Sequence, residues 1–86
     1  MPFTPELVDE INTLARFDLA TSQQGIKVHK TASPEVIAAT RRLHEKGLLT
    51  LPDGGYLTGL GRDAAEHAQS LLMILAPAVE AQANTA

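Results

Sequence analysis

The segment from Ser33 to Arg62 constrains the fold of this 86-residue chain more than any other part. It opens with Ser33-Pro34-Glu35, a strong helix start. The serine can accept a hydrogen bond from a backbone N–H, proline fits the first helical position, and glutamate favours the positive helix end. Gly47 is typical of the left-handed residue that follows a helix. The spacing therefore predicts a helix over residues 33–46.

A hairpin and a further helix are predicted after Gly47. Two short apolar runs, residues 48–51 and 55–57, flank Pro52-Asp53-Gly54. Asp-Gly-Gly supplies the positive φ angles that a tight hairpin needs. Thr58 is the expected N-cap of the last helix.

The first third of the chain predicts one helix and one strand. Thr4-Pro5-Glu6 is a second helix start, and apolar residues at helical spacing carry the helix to about residue 16 or 17. The helical spacing of these apolar residues places Glu10 on the outer face of the helix. Residues 18–32 favour a short helical turn near 19–24, followed by a strand near 26–30 in which apolar and basic residues alternate. The whole pattern predicts an α+β domain with three main helices, a short β-hairpin and an extra strand.

Length and composition bound the organisation of the chain. Its length suits one domain, which we assign to residues 1–76, with a frayed tail over 77–86. There is no cysteine, which excludes disulfides and thiolate chemistry. The N-terminus is acidic and lacks the pattern of a secretory signal, and no apolar run is long enough to span a membrane. We therefore expect a cytoplasmic protein.

Basic residues are concentrated in one quarter of an otherwise acidic chain. The net charge is −3, yet residues 25–46 hold five of the seven Lys and Arg residues. A local basic surface on an acidic body can bind phosphate groups while limiting non-specific association. A chance excess of charge on a solvated face explains the same pattern, so charge alone leaves both interpretations open.

The order of these elements resembles the second half of a winged helix-turn-helix domain of the MarR type. The resemblance lies in Lys46-Gly47-Leu48, the hairpin, and Leu57-Thr58-x-x-Gly61-Arg62. It implies a winged-helix-like fold in which helix 33–46 enters the DNA major groove. The hairpin tip lacks the arginine that such wings place there. The first strand also departs from the family pattern, which places that strand before two helices.

The chain also resembles a small bacterial family across nearly its whole length, to about residue 75. The shared segments are MPFTPEL, GIKVH, L-x-x-KGL and DGGYLT. Members of that family are described as DNA-binding on the basis of their fold. The resemblance implies no further activity.

The DNA-binding interpretation assigns residues by their place on or beside helix 33–46. Its arginines would contact guanine or phosphate, Ala38 would allow close approach, and Ser33 marks an anion-binding helix end. Nearby lysines would contact phosphates. The predicted DNA-binding residues are Lys27, Lys30, Ser33, Ala38, Arg41, Arg42 and Lys46.

The last helix is apolar on more than one side, so one side needs a partner beyond the core. A twofold-related copy of the chain would supply it. The alternative is that the small domain wraps its longest helix and needs no partner. The predicted dimer interface consists of Ala68, Leu71, Leu72, Leu75 and Val79.

No catalytic, metal or cofactor motif stands out. The three histidines fall on different elements without metal-site spacing, and Gly59-x-Gly61 lacks the third glycine of a dinucleotide loop. We therefore expect a non-enzymatic protein without a cofactor or metal. The favoured function is double-stranded DNA binding as a transcriptional regulator or accessory factor. The alternative is a winged-helix-like protein–protein interaction module, which the acidic net charge favours.

Overall fold

A computed structural model describes residues 2–20 and 25–76 of the chain. The elements in chain order are α1 (Pro5–Leu14), β1 (Ile26–Lys27), α2 (Pro34–Glu45), β2 (Leu49–Leu51), β3 (Gly54–Leu57) and α3 (Gly59–Leu75). The α+β prediction of three main helices, a hairpin and an extra strand is confirmed. Part of the turn predicted near 19–24 and all of the tail 77–86 lie outside the described residues.

All three helices begin where the sequence predicts. The hydroxyl oxygens of Thr4, Ser33 and Thr58 each accept a hydrogen bond from the backbone N–H three residues later, at 3.2, 3.4 and 3.0 Å. Each hydroxyl thus satisfies one of the backbone donors that a helix start leaves unpaired. Gly47 has a φ of 84° and follows α2, as predicted.

Helix α1 ends earlier than the predicted residue 16 or 17. The backbone N–H groups of Arg16 and Phe17 donate to carbonyls three residues back, so the chain tightens into a turn after Leu14. This turn directs Phe17 into the core, where its side chain is 4% exposed. Burial of a large aromatic side chain compensates for the lost helical turn.

The three strands form one antiparallel sheet in the order β1-β3-β2. Gly54 and Gly55 have φ angles of 128° and 70°, which allow the tight turn between β2 and β3. Strand β1 pairs with β3 over two residues only, so it is shorter than the strand predicted near 26–30. Its pairing reaches the hairpin turn, where the Val28 N–H donates to the Asp53 carbonyl at 2.8 Å.

The core lies where the three helices meet the hairpin. Its buried apolar members come from α1 and the turn after it, from α2, from β2 and from α3, and they are Leu14, Phe17, Leu43, Leu49 and Ala65. Thr13 and Thr40 are also buried, and each hydroxyl donates to the carbonyl four residues earlier. Residues 15–33, which include β1, separate α1 from α2. A helix-turn-helix joins its two helices through a turn of about three or four residues, which is not the connection between these two.

Candidate functional site

An open cleft of about 920 Å³ lies beside α2 and is referred to here as the basic cleft. One side is the segment 27–31, which follows from β1. The other side is α2, and the hairpin turn also contributes to the lining. The residues that α2 and the turn contribute are Ile37, Thr40, Arg41, Pro52 and Asp53. The cleft therefore joins three parts of the chain that are distant in sequence.

Backbone pairing fixes the position of the hairpin turn in the basic cleft. Lys27 pairs with Gly54 in the sheet, and the next residue, Val28, bonds to the Asp53 carbonyl. A Cβ added to Gly54 would lie 2.5 Å from the Ile26 carbonyl oxygen, so only glycine permits this close approach. The segment 27–31 and the turn are thus held together by the sheet.

Three of the predicted DNA-binding cations line the basic cleft. Lys27, Lys30 and Arg41 are all exposed, and none has an ion-pair partner among the described residues. His29 lies in the same lining, and Asp53 is the one carboxylate there. The cleft is therefore surrounded by an excess of positive charge that no described acidic residue pairs.

Arg42 and Lys46 bond to helix α1 instead, although Arg42 also lines the smaller neighbouring groove. The Glu10 carboxylate accepts from Arg42 Nε at 2.9 Å and from Lys46 Nζ at 2.5 Å, and Arg42 also donates to the Glu6 carbonyl at 3.1 Å. These two basic groups join α2 to α1 and do not line the basic cleft with Arg41. The prediction that Glu10 lies on the outer face of α1 is wrong, since its side chain is only 6% exposed.

The pKa of Glu10 reflects two opposed effects. Burial favours the neutral acid and raises the pKa, whereas hydrogen bonds and charge attraction from Lys46 and Arg42 favour the carboxylate. The second effect is larger in total, so the pKa of Glu10 lies below its ordinary value of 4.5. Glu10 is thus charged at neutral pH and neutralises much of the positive charge of its partners.

The two remaining predicted DNA-binding residues lie on the outer side of α2. Ala38 lines a shallower groove of about 460 Å³ that shares Lys30, Ile37 and Arg41 with the basic cleft. Ser33 is exposed, but its hydroxyl already caps the helix. Glu35 and Glu45 are also exposed on α2, so this helix surface carries both signs of charge.

The predicted dimer interface lies at the exposed end of α3. Five successive apolar residues, Leu71 to Leu75, are between 41% and 75% exposed. Ala68 is half-buried, and Val79 lies outside the described residues. This run is the longest stretch of exposed large apolar side chains in the described part of the chain. No other described residue covers these side chains.

Sequence reasoning missed two residues, Ile37 and Asp53, that line the cleft together with its basic residues. The sequence pattern places Asp53 only in a turn and gives Ile37 no role in the site. Their place in the cleft follows from the pairing of β1 with β3, a non-local contact that the sequence does not encode as a local pattern. The basic residues around β1 were the one available signal.

The fold and the site together define a small α+β domain with a hairpin, a basic cleft beside its central helix and an apolar helix end. The model of the family of unknown function DUF5669 matches residues 1–76, and the chain belongs to that family. No curated protein and no solved structure gives a significant match. Among residues 2–20 and 25–76, no helix is long and apolar enough to cross a membrane, and no His, Asp and Glu cluster could hold a metal ion.

Proposed function

We propose that this protein binds double-stranded DNA in the cytoplasm, without catalysis, as a transcriptional regulator or accessory factor. The observation that carries the proposal is the grouping of Lys27, Lys30 and Arg41 around one open cleft beside the exposed face of α2. Lysine and arginine side chains that neutralise phosphates supply most non-specific DNA affinity. The helix–hairpin–helix order, similar to a winged helix, supports the same function.

The pairing of Glu10 limits how many phosphates this surface neutralises. Five basic residues lie in the segment 25–46, but Arg42 and Lys46 bind Glu10. Three cations per protomer remain for DNA. We therefore expect a log–log dependence of affinity on salt with a slope of about −3 per protomer, rather than about −5.

Replacing Lys30 and Arg41 together with alanine should weaken DNA binding by roughly 10–100-fold at low salt and flatten the slope to about −1 per protomer. Fluorescence anisotropy with a random-sequence duplex, titrated with salt, measures both quantities. Both side chains are exposed, so the variant should remain folded. Arg16→Ala is the matched control, because Arg16 is exposed but does not line the cleft. Equal binding by wild type and the double variant would refute the proposal.

A protein-interaction module is the second candidate, and the charges around the cleft favour it. Asp53 lines the cleft, and Glu35 and Glu45 are exposed on α2. Carboxylates at these places repel a phosphate backbone but tolerate a protein partner. Absence of DNA binding even at low salt would select this function.

We also propose that the protein is a homodimer through the end of α3. A contiguous apolar patch of this kind is costly to expose and usually marks an interface. A twofold-related copy presents an equally apolar helix, so each copy covers the other. The observation that supports the dimer is the exposure of Leu71 to Leu75.

Replacing Leu72 with glutamate should convert the dimer into a monomer. Leu72 is 54% exposed, so the charge is tolerated in the monomer but is buried without a partner in the dimer. We expect the dissociation constant to rise by at least about 100-fold, measured by sedimentation velocity at micromolar concentration. Leu51→Glu is the control, since Leu51 is 51% exposed on the hairpin. A monomeric wild type would contradict the proposal.

A further inference from the structure

We infer that the basic cleft is also a binding site for small organic anions that carry an apolar group. The inference goes beyond DNA binding and does not depend on it, although both use Lys30 and Arg41. It starts from the shape of the site. Phosphate contacts with a DNA backbone need only exposed cations, whereas these cations surround a concavity of about 920 Å³. That volume lies within the range of small-molecule sites.

The interior of the cleft is apolar. Val28, Ile37 and Pro52 line it, and the first two are half-buried. Thr40 is fully buried, and its hydroxyl already donates to the Val36 carbonyl at 2.7 Å. Among the described residues, no buried side-chain nitrogen or oxygen lacks a hydrogen-bond partner. A ligand group that reaches this interior therefore gains by burying apolar surface, not by satisfying a polar atom.

The positive charge around the rim of the cleft favours an anionic head group on the ligand. Lys27, Lys30 and Arg41 outnumber the single carboxylate of Asp53. A phosphate or carboxylate head group at this rim gains charge-assisted hydrogen bonds, and arginine can bind it in a bidentate manner. The complementary ligand is thus a small anion with an aryl or branched aliphatic body. Because it uses the cations proposed for DNA, it would compete with DNA.

The test uses the full chain without DNA and three probes: phenyl phosphate, inorganic phosphate and benzyl alcohol. Amide chemical shifts in an NMR titration locate the site and give each affinity. We expect phenyl phosphate to shift the resonances of residues 27–31 and Ile37. It should bind at least about tenfold more tightly than either of the other probes. Inorganic phosphate carries only the anionic group, and benzyl alcohol carries only the aryl group.

Two variants separate the contributions of the rim and the interior. Arg41→Ala should weaken phenyl phosphate and inorganic phosphate alike, whereas Ile37→Ala should weaken phenyl phosphate alone. Equal affinity for phenyl phosphate and inorganic phosphate would overturn the inference, as would equal affinity for benzyl alcohol. Shifts confined to the apolar end of α3 would overturn it too. Phenyl phosphate binding without any DNA binding would uphold this inference while the DNA proposal fails.

Discussion

Replacing Gly61 with alanine should destabilise the fold by about 2–3 kcal/mol, the cost typical of overpacking a dense interior. Gly61 lies in the first turn of α3 and is buried. A Cβ at this position would overlap the carbonyl oxygen of Leu48. That oxygen cannot move aside easily, because it accepts the Thr58 N–H at 3.0 Å. The close approach of α3 to the start of the hairpin therefore depends on the absence of a side chain at residue 61.

Gly59→Ala is the matched control and should have the opposite sign. Gly59 lies two residues earlier in the same helix, and a Cβ there would meet no atom within 4 Å. Alanine has the higher helix propensity and restricts the unfolded chain, so we expect stabilisation of up to about 1 kcal/mol. Thermal unfolding measures both effects. Gly61→Ala should lower the Tm by roughly 10–15 °C for a domain of this size. Similar shifts in both variants would show that propensity, not close contact, governs residue 61.

Gly61 also shows which part of the fold the sequence predicts and which it does not. The L-T-x-x-G-R pattern placed Gly61 correctly after an N-cap, because capping is decided by residues within one turn. Its contact with Leu48 is a packing relation between two elements. Gly47 and Pro52-Asp53-Gly54 are also predicted correctly, because the backbone conformation at these positions depends on local sequence.

The failures concern charge and non-local pairing. Helical spacing placed Glu10 outside, because periodicity arguments assign charged residues to solvent. The structure buries Glu10 because α2 supplies two basic partners that lie more than 30 residues later in the chain. In the sequence, Arg42 and Lys46 belong to the same basic segment, residues 25–46, as Lys27, Lys30 and Arg41. Only the packing of α1 on α2 divides the five into a paired set and a set that lines the cleft.

Replacing Glu10 with glutamine should destabilise the protein by about 2 kcal/mol at neutral pH. The variant keeps the size of the side chain but removes its charge, so Arg42 and Lys46 lose their shared partner. Loss of one member of a fully buried ion pair costs about 3–5 kcal/mol. The side chains of Arg42 and Lys46 are 30% and 48% exposed, so water compensates part of the loss. Glu6→Gln is the control, since Glu6 is exposed in the same helix and should change stability by less than about 0.5 kcal/mol.

The dependence of this effect on pH tests its cause. The pKa of Glu10 is lower in the folded protein than its ordinary value of 4.5, so folding is linked to proton release from this group. Its stabilising contribution is complete well above 4.5 and disappears as the pH falls through the folded-state pKa. Urea unfolding of wild type and Glu10→Gln should therefore show a gap near pH 7 that closes toward pH 3. A gap that stays constant over this range would mean that the charge of Glu10 does not cause the difference in stability between the two proteins.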